Sequence, residues 1–298
     1  MTTKISLVRT RNRIEGVKKA VELLKSNPFQ GKFVMLKPNL NSADTTPGST
    51  HIDTLRSLVL TLKVMGATEI TVAERSGPGD PTRVVMKNKG ILALAAELDF
   101  NILAMDEMPE DGWVHIHPEG SHWRDGFLFP KIYHEAESIV QTCCLKTHAY
   151  GGHFTLSLKN SVGLVPRAGH PYMQELHSSP LQRQLIAEIN TAYSPDLVVL
   201  DGVDAFVDGG PARGKLAETN VILACKDRVA IDAAGVAILR FFGTTPAVSQ
   251  GTIFQQEQIA RAAALNLGVQ SPDQIEFITA DPESADFAHK ITEVLLQS

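Results

Sequence analysis

Cysteine is scarce in this 298-residue chain: there are three, and two of them are the neighbours Cys143 and Cys144. An odd number without a CxxC spacing gives no disulfide framework and fits a reducing compartment. It also leaves too few thiolates to hold an iron–sulfur cluster from within the chain. Long apolar runs are missing too, none approaching the roughly 18 residues that suggest a membrane span. The N-terminal MTTKISLVRTRNR is a short apolar strand followed by charges, so no signal peptide is expected. No dense Lys/Arg block occurs, and 28 Lys+Arg against 33 Asp+Glu leaves a net charge of -5. That mild acidity argues against a nucleic-acid or membrane-surface partner. The expected location is the cytoplasm.

With 43% hydrophobic and 20% charged residues, the sequence has the make-up of a globular protein. Its length is near the upper limit for one hydrophobic core. The reading is a single domain over 1–298, or two lobes, 1–105 and 136–298, flanking an irregular insertion at 106–135. Short β-type runs alternate with helical stripes. Strands are expected at Lys4–Val8, Lys32–Lys37, Glu69–Ala73, Phe100–Ala104, Ser138–Cys144, Asp196–Leu200, Asn220–Ala224 and Ile275–Thr279. Between them fall helices at Ile14–Leu24, Asp53–Met65 with Asp53 as N-cap, Arg83–Leu98 interrupted at Gly90, Leu181–Tyr193, Val229–Phe242 capped by Asp227, and Ala285–Leu295. Pro109–Pro130, rich in Gly, Pro, His and Trp, reads as a hairpin or insertion over the sheet. The alternation predicts an α/β fold, a mostly parallel sheet built from βαβ units with helices on both faces, with a pocket between the lobes if there are two.

Ligands of open α/β sheets collect beyond the carboxyl ends of the strands, and four segments put polar residues there. In KPNLNSADTTPGSTH, Lys37 ends a buried strand and Asn39 offers an amide. This is either a clamp for phosphate or carboxylate, or a lysine snorkelling at a strand end. In KTHAYGGHFTLSLKNSVG, Lys146 and His148 are expected to emerge beyond a strand ending at Leu145. Gly151 and Gly152 would free backbone N–H groups for an anion. A helix starting near Phe154 would set Thr155 and Lys159 one turn apart. His148 and His153 lie within reach of one ligand, although two histidines without a carboxylate do not define a metal site. The segment from Pro166 to Pro180, with Arg167, His170 and His177, reads as a lid or as a solvated loop. In DGVDAFVDGGPARG, Asp201 is a metal ligand, a base or a turn former, and Gly210 with Pro211 makes a sharp turn. Glu74, Arg75 and Ser76 border the same rim, ahead of GPGDP turn chemistry. Asp232 falls inside a helix. Cys143 and Cys144 point to opposite sides of a strand as inert thiols. HIH at His115 and His117 is either a surface metal pair or two ordinary histidines on an exposed strand.

Together VMLKPNL with TPGSTH, ITVAERSG, LKTHAYGGHFTLSLKNSVGLVP, PDLVVLDGVDAFVDGGPARG and VILACKDRVAIDAAG resemble the family called domain of unknown function 362, over about residues 30 to 240. The resemblance implies no settled activity. It puts Lys37, Asn39, Lys146, His148, Lys159, Asn160, Asp201, Gly210 and Pro211 on motif positions, and leaves His153 inside the signature at a variable one. Many members carry or accompany ferredoxin-type clusters, whereas this chain has no CxxCxxC block, so a cluster would come from a ferredoxin-like redox partner. The expectation is an enzyme acting on an anionic small molecule. Lys37, Lys146 and Lys159 would supply charge, His148 a proton shuttle, and Asp201 a base or metal anchor. The alternative is a non-catalytic metal- or cofactor-binding protein serving a redox partner. No cofactor is identified.

Overall fold

A computed structural model describes residues 2–167 and 169–297. Its strands are β1 (Thr3–Arg9), β2 (Phe33–Lys37), β3 (Glu69–Glu74), β4 (Asn101–Ala104), β5 (Trp113–Ile116), β6 (Phe127–Pro130), β7 (Ile139–His148), β8 (His153–Thr155), β9 (Leu197–Gly209), β10 (Gly214–Cys225) and β11 (Ile275–Ile278). Nine of them form one sheet in the order β11-β1-β10-β9-β7-β2-β3-β4, with β8 paired to β7. All run in one direction except β8 and β10, so the fold is α/β with a mostly parallel, mixed sheet.

Strand alternation sorts the core onto two faces. Val198 and Leu200 of β9 join one buried cluster, with helices Arg228–Phe241 and Pro282–Gln297. Leu197 and Val199 join another, under helices Arg13–Leu23 and Ile52–Val64. Each fully buried Leu, Ile or Val contributes about 1.5–3 kcal/mol of transfer free energy. The β5–β6 hairpin is antiparallel and carries Phe127 and Phe129 into a third cluster, against Met35 and Ala73 of the sheet.

Several expectations change. Helix Ile52–Val64 is capped by His51, whose Nδ1 accepts from the Asp53 amide at 3.1 Å, so Asp53 lies in the first turn instead. Asp227 does cap its helix, accepting from the Ala230 amide. The helix over 83–98 divides at Gly90, which takes a left-handed φ of 76°, into Thr82–Asn88 and Ile91–Leu98. β7 does not stop at Leu145 but continues to His148, and β9 continues past Asp201 to Gly209. β10 returns antiparallel to β9, so the sheet is mostly parallel, as expected, with β8 and β10 as its antiparallel members.

The connections set the position of the site. β2 sends its crossover to β3, through helix Ile52–Val64 on one face. β7 sends its crossover to β9 on the opposite side, through helix Gln182–Ile189, which packs on the other face. The crossovers part between β2 and β7, and a crevice opens at such a switch point. Because Lys37, the last residue of β2, pairs with Gln141, β7 overhangs that opening as one wall.

Candidate functional site

The crevice at the switch point is lined by Lys37, Asn39, Glu74, Arg75, Lys146, His148, Thr155, Lys159, Asn160 and Pro211, among others, and has a volume of ≈ 70 Å³. Seven motif positions expected from sequence, Lys37, Asn39, Lys146, His148, Lys159, Asn160 and Pro211, meet here from three separate segments of chain.

Their roles differ once partners are assigned. Lys37 is fully buried, and its ammonium donates to Glu74 Oε2 at 2.6 Å, the Pro38 carbonyl at 3.0 Å and Asn160 Oδ1 at 3.2 Å. Three N–H groups thus meet three protein acceptors, and none is left for a ligand. In this arrangement Lys37 lines the crevice, neutralises Glu74 and orients Asn160. Lys146 donates to Asn39 Oδ1 at 2.9 Å and to the Gly48 carbonyl, so one N–H stays free. Arg75 holds the carbonyls of Val165, Ser76 and Val162. Burial, then Arg167, pulls it down to about 10, which leaves it charged at neutral pH.

Lys159 is 8% exposed and has no hydrogen-bond or ion-pair partner among the described residues. Burial, with Lys146 and Arg75 adding repulsion, lowers its pKa to about 8. The Thr155 hydroxyl, also buried, is likewise without a partner. His148 accepts from the Tyr150 amide through Nδ1 at 3.2 Å, which puts its ring proton on Nε2. Burial, and then Lys159 and Lys146, lower its pKa to about 2, so the imidazole is neutral. With Nδ1 accepting, the Nε2–H of this neutral ring is left as a donor at the crevice.

The N-terminal half of the motif folds differently from the helix expected at Phe154. His153–Thr155 is the short strand β8, and the helix begins at Ser157. Asp232 caps that helix from outside: its carboxylate accepts from the Ser157 amide at 2.7 Å and the Leu158 amide at 3.2 Å. Lys159 and Asn160 are aimed by this anchor.

Other expected residues lie elsewhere. Gly151 and Gly152 turn the chain between β7 and β8 without lining the crevice; a Cβ on Gly152 would sit 2.8 Å from Lys159 Cε. His153 faces Arg183 and Glu257 and does not line it either. Asp201 is not at a strand end. Its Oδ2 accepts from Arg13 Nε at 2.9 Å and Thr54 Oγ1 at 2.6 Å, and its Oδ1 from the Val203 amide, so it ties β9 to two helices and does not line the crevice. Arg167 reaches the Gly77 carbonyl, His170 stacks on Tyr172 and His177 bonds the Met173 carbonyl; Ala168 between them lies outside the described residues. His115 is exposed and contacts the Asp125 carbonyl. Among the described residues, no three His, Cys, Asp or Glu side chains gather to hold a metal ion. All three thiols are buried, and burial pushes each upward.

Gly210 works through close approach. With φ at +68°, it brings the β9–β10 turn against the end of β7, where a Cβ would lie 2.0 Å from the Thr147 carbonyl oxygen. Gly210→Ala is expected to lower stability by about 2 kcal/mol or more, read as a fall in the urea midpoint. An unchanged midpoint would show that the turn can move aside.

Glu74, Arg75, Thr155 and Asp232 are the contributions that sequence reasoning underrated. The available signal for the first two was their position directly after a buried strand, at the rim of the sheet.

The sequence model of the family described as domain of unknown function (DUF362) matches residues 34–237. A relative, thylakoid-associated protein sll1697 of Synechocystis sp. PCC 6803, is 28% identical over 212 residues, which cover 68% of this chain and 61% of the relative. The match therefore spans less than two thirds of that relative's length. Among solved structures, the lactate racemase apoprotein of Thermoanaerobacterium thermosaccharolyticum aligns over 96% of this chain and 86% of its own, with 12% identity and a TM-score of 0.43. No helix among the described residues is long and apolar enough to cross a membrane.

Proposed function

The chain belongs to the DUF362 family, and from that premise we propose that the switch-point crevice is the active site of an enzyme acting on a small anionic molecule, a carboxylate or a phosphate. The observation that carries this is a charge imbalance. Lys146, Arg75 and Lys159 line one crevice, and its single carboxylate, Glu74, is already taken by Lys37. Buried cations without counter-ions are costly, and an anion is the complement that relieves them.

In this reading Lys146 and Arg75 hold the anionic group, and the Nε2–H of neutral His148 and the Thr155 hydroxyl donate to a neighbouring oxygen. Lys159, with a pKa of about 8, exchanges a proton near neutral pH, the range that suits an acid–base catalyst. The small volume supports a compact ligand. The alternative, a carrier serving a ferredoxin-like redox partner, has no comparable observation behind it. Three free cysteines support action in the cytoplasm, to be checked by cell fractionation.

The test is a thermal-shift and calorimetric screen with phosphate, acetate and pyruvate against wild type, Lys146→Met and Lys159→Met. At least one anion should raise the wild-type Tm, and each variant should bind it roughly tenfold or more weakly, the effect of losing about 1.4 kcal/mol. Affinity should also fall as pH rises through about 8, where Lys159 loses its charge. Folded variants that bind the anion as well as wild type would refute the assignment.

A further inference from the structure

The three amino groups of the crevice are not equivalent. Lys37 donates to three acceptors and Lys146 to two, while Lys159 donates to none. Lys159 is also more than nine-tenths buried. A buried ammonium with no acceptor is costly, so this environment favours the neutral amine, and two neighbouring cations favour it further. A desolvated lysine beside other cationic groups is a nucleophile in waiting, because its lone pair is available near neutral pH.

Its surroundings suit an attack on a carbonyl group. The Thr155 hydroxyl, 6% exposed and unpartnered, lines the same crevice, and the Nε2–H of His148 is not committed to the Tyr150 contact. Both are donors for an oxygen that gains charge as a carbonyl is attacked. The charge of Lys146 and Arg75 calls for an acidic group in the same molecule. The crevice is small, ≈ 70 Å³, and suits a compact molecule.

We propose that Lys159 forms a Schiff base with a small oxo acid, one whose carboxylate is held by Lys146 and Arg75. This rests on the anion-binding reading and adds a covalent step to it. The neutral amine attacks the carbonyl carbon, forming a C–N bond while the π pair moves to oxygen. One proton passes from nitrogen to that oxygen to give the carbinolamine. The C–O bond then breaks, the hydroxyl leaves with one proton from solvent as water, and the nitrogen lone pair closes the C=N bond. The iminium keeps one N–H, and no oxidant or reductant is consumed.

The experiment is reductive trapping of the whole protein. Glyoxylate or pyruvate is added with borohydride at several pH values, and modified lysines are located by peptide mass spectrometry. At pH 7, a lysine with a pKa of about 8 has a neutral fraction about 300-fold larger than one at the ordinary value of 10.5. Lys159 should therefore be modified at least ~tenfold faster than the exposed lysines. Its rate should level off above about pH 8, whereas theirs should keep rising. Phosphate should protect Lys159 if it occupies the crevice, and Lys159→Arg, with its melting curve as fold control, should abolish the selective label. Tm protection by an anion without trapping at Lys159 would overturn the Schiff base and leave the anion pocket standing. Neither protection nor trapping would remove both. Labelling spread evenly over surface lysines would also overturn the proposal.

Discussion

Replacing Lys37 with methionine is expected to destabilise the protein by about 3–5 kcal/mol, the penalty of leaving one partner of a buried pair without the other. Lys37 and Glu74 are 1% and 2% exposed and stand 2.6 Å apart. Methionine fills a similar volume but supplies no positive charge. Glu74 would keep the amides of Leu40 and Arg75 as donors and lose its counter-ion. The measurement is the urea midpoint at constant m. The double variant Lys37→Met/Glu74→Gln should recover most of the loss, because the uncompensated charge goes with it. A single variant as stable as wild type would mean that Glu74 takes up a proton or that water enters the crevice. If Lys37 is structural, as its full set of acceptors indicates, the double variant should also retain anion binding, in contrast to Lys146→Met.

The second large effect concerns Asp232, and its sign depends on the substitute. Asp232→Ala removes the acceptor for the Ser157 and Leu158 amides and for Gln258 Nε2. Buried donors left without partners are expected to cost about 2–4 kcal/mol together. The helix carrying Lys159 would loosen, and anion affinity should fall with stability. Asp232→Asn should be mild. Its carbonyl oxygen can still take the two amides, and its NH₂ can meet Gln258 Oε1, a buried acceptor that has no partner now. Burial, only partly offset by the Leu158 and Ser157 amides, raises the Asp232 pKa from 3.8 to about 8. A carboxyl raised in the folded state contributes stability that is complete below the unfolded value and is lost as pH rises through the folded one. Wild type should therefore lose stability between pH 4 and about 8 relative to Asp232→Asn. Parallel stability–pH curves for the two proteins would refute this account.

Much of the architecture was legible because burial forces periodicity. Alternating runs such as VVL at 198–200 face two cores and read plainly as strand, and the helical stripe of Val17 and Val21 is buried as expected. Strand direction was less legible, since an apolar run carries no arrow. β10 runs against β9, and only the turn at Gly209 and Gly210, both with positive φ, marks the reversal. Strand ends were hidden by chemistry. Lys146, Thr147 and His148 look like loop residues, yet β7 continues through them because each polar atom finds a partner or the crevice.

The site was half legible for the same reason. Lysines and histidines near strand ends stood out, but their pairings did not. Lys37 seemed free until its carboxylate partner, 37 residues away, was brought beside it. Asp201 looked available until Arg13 and Thr54 closed on it. Asp232 could not be singled out, because an acid within a helix is unremarkable until tertiary packing sets two orphan amides against it.

The place of β1 in the sheet has a consequence for how the protein is made. Its neighbours are β10 and β11, and Ser6 meets the Ala224 carbonyl across 218 positions of sequence. Closing such long loops is slow, because their entropy is lost before any contact repays it. On the ribosome β1 emerges before both partners and stays unpaired on both edges until residues 214–225 and 275–278 have followed. A stalled or truncated product would thus present an open, apolar strand, the kind of edge that invites aggregation.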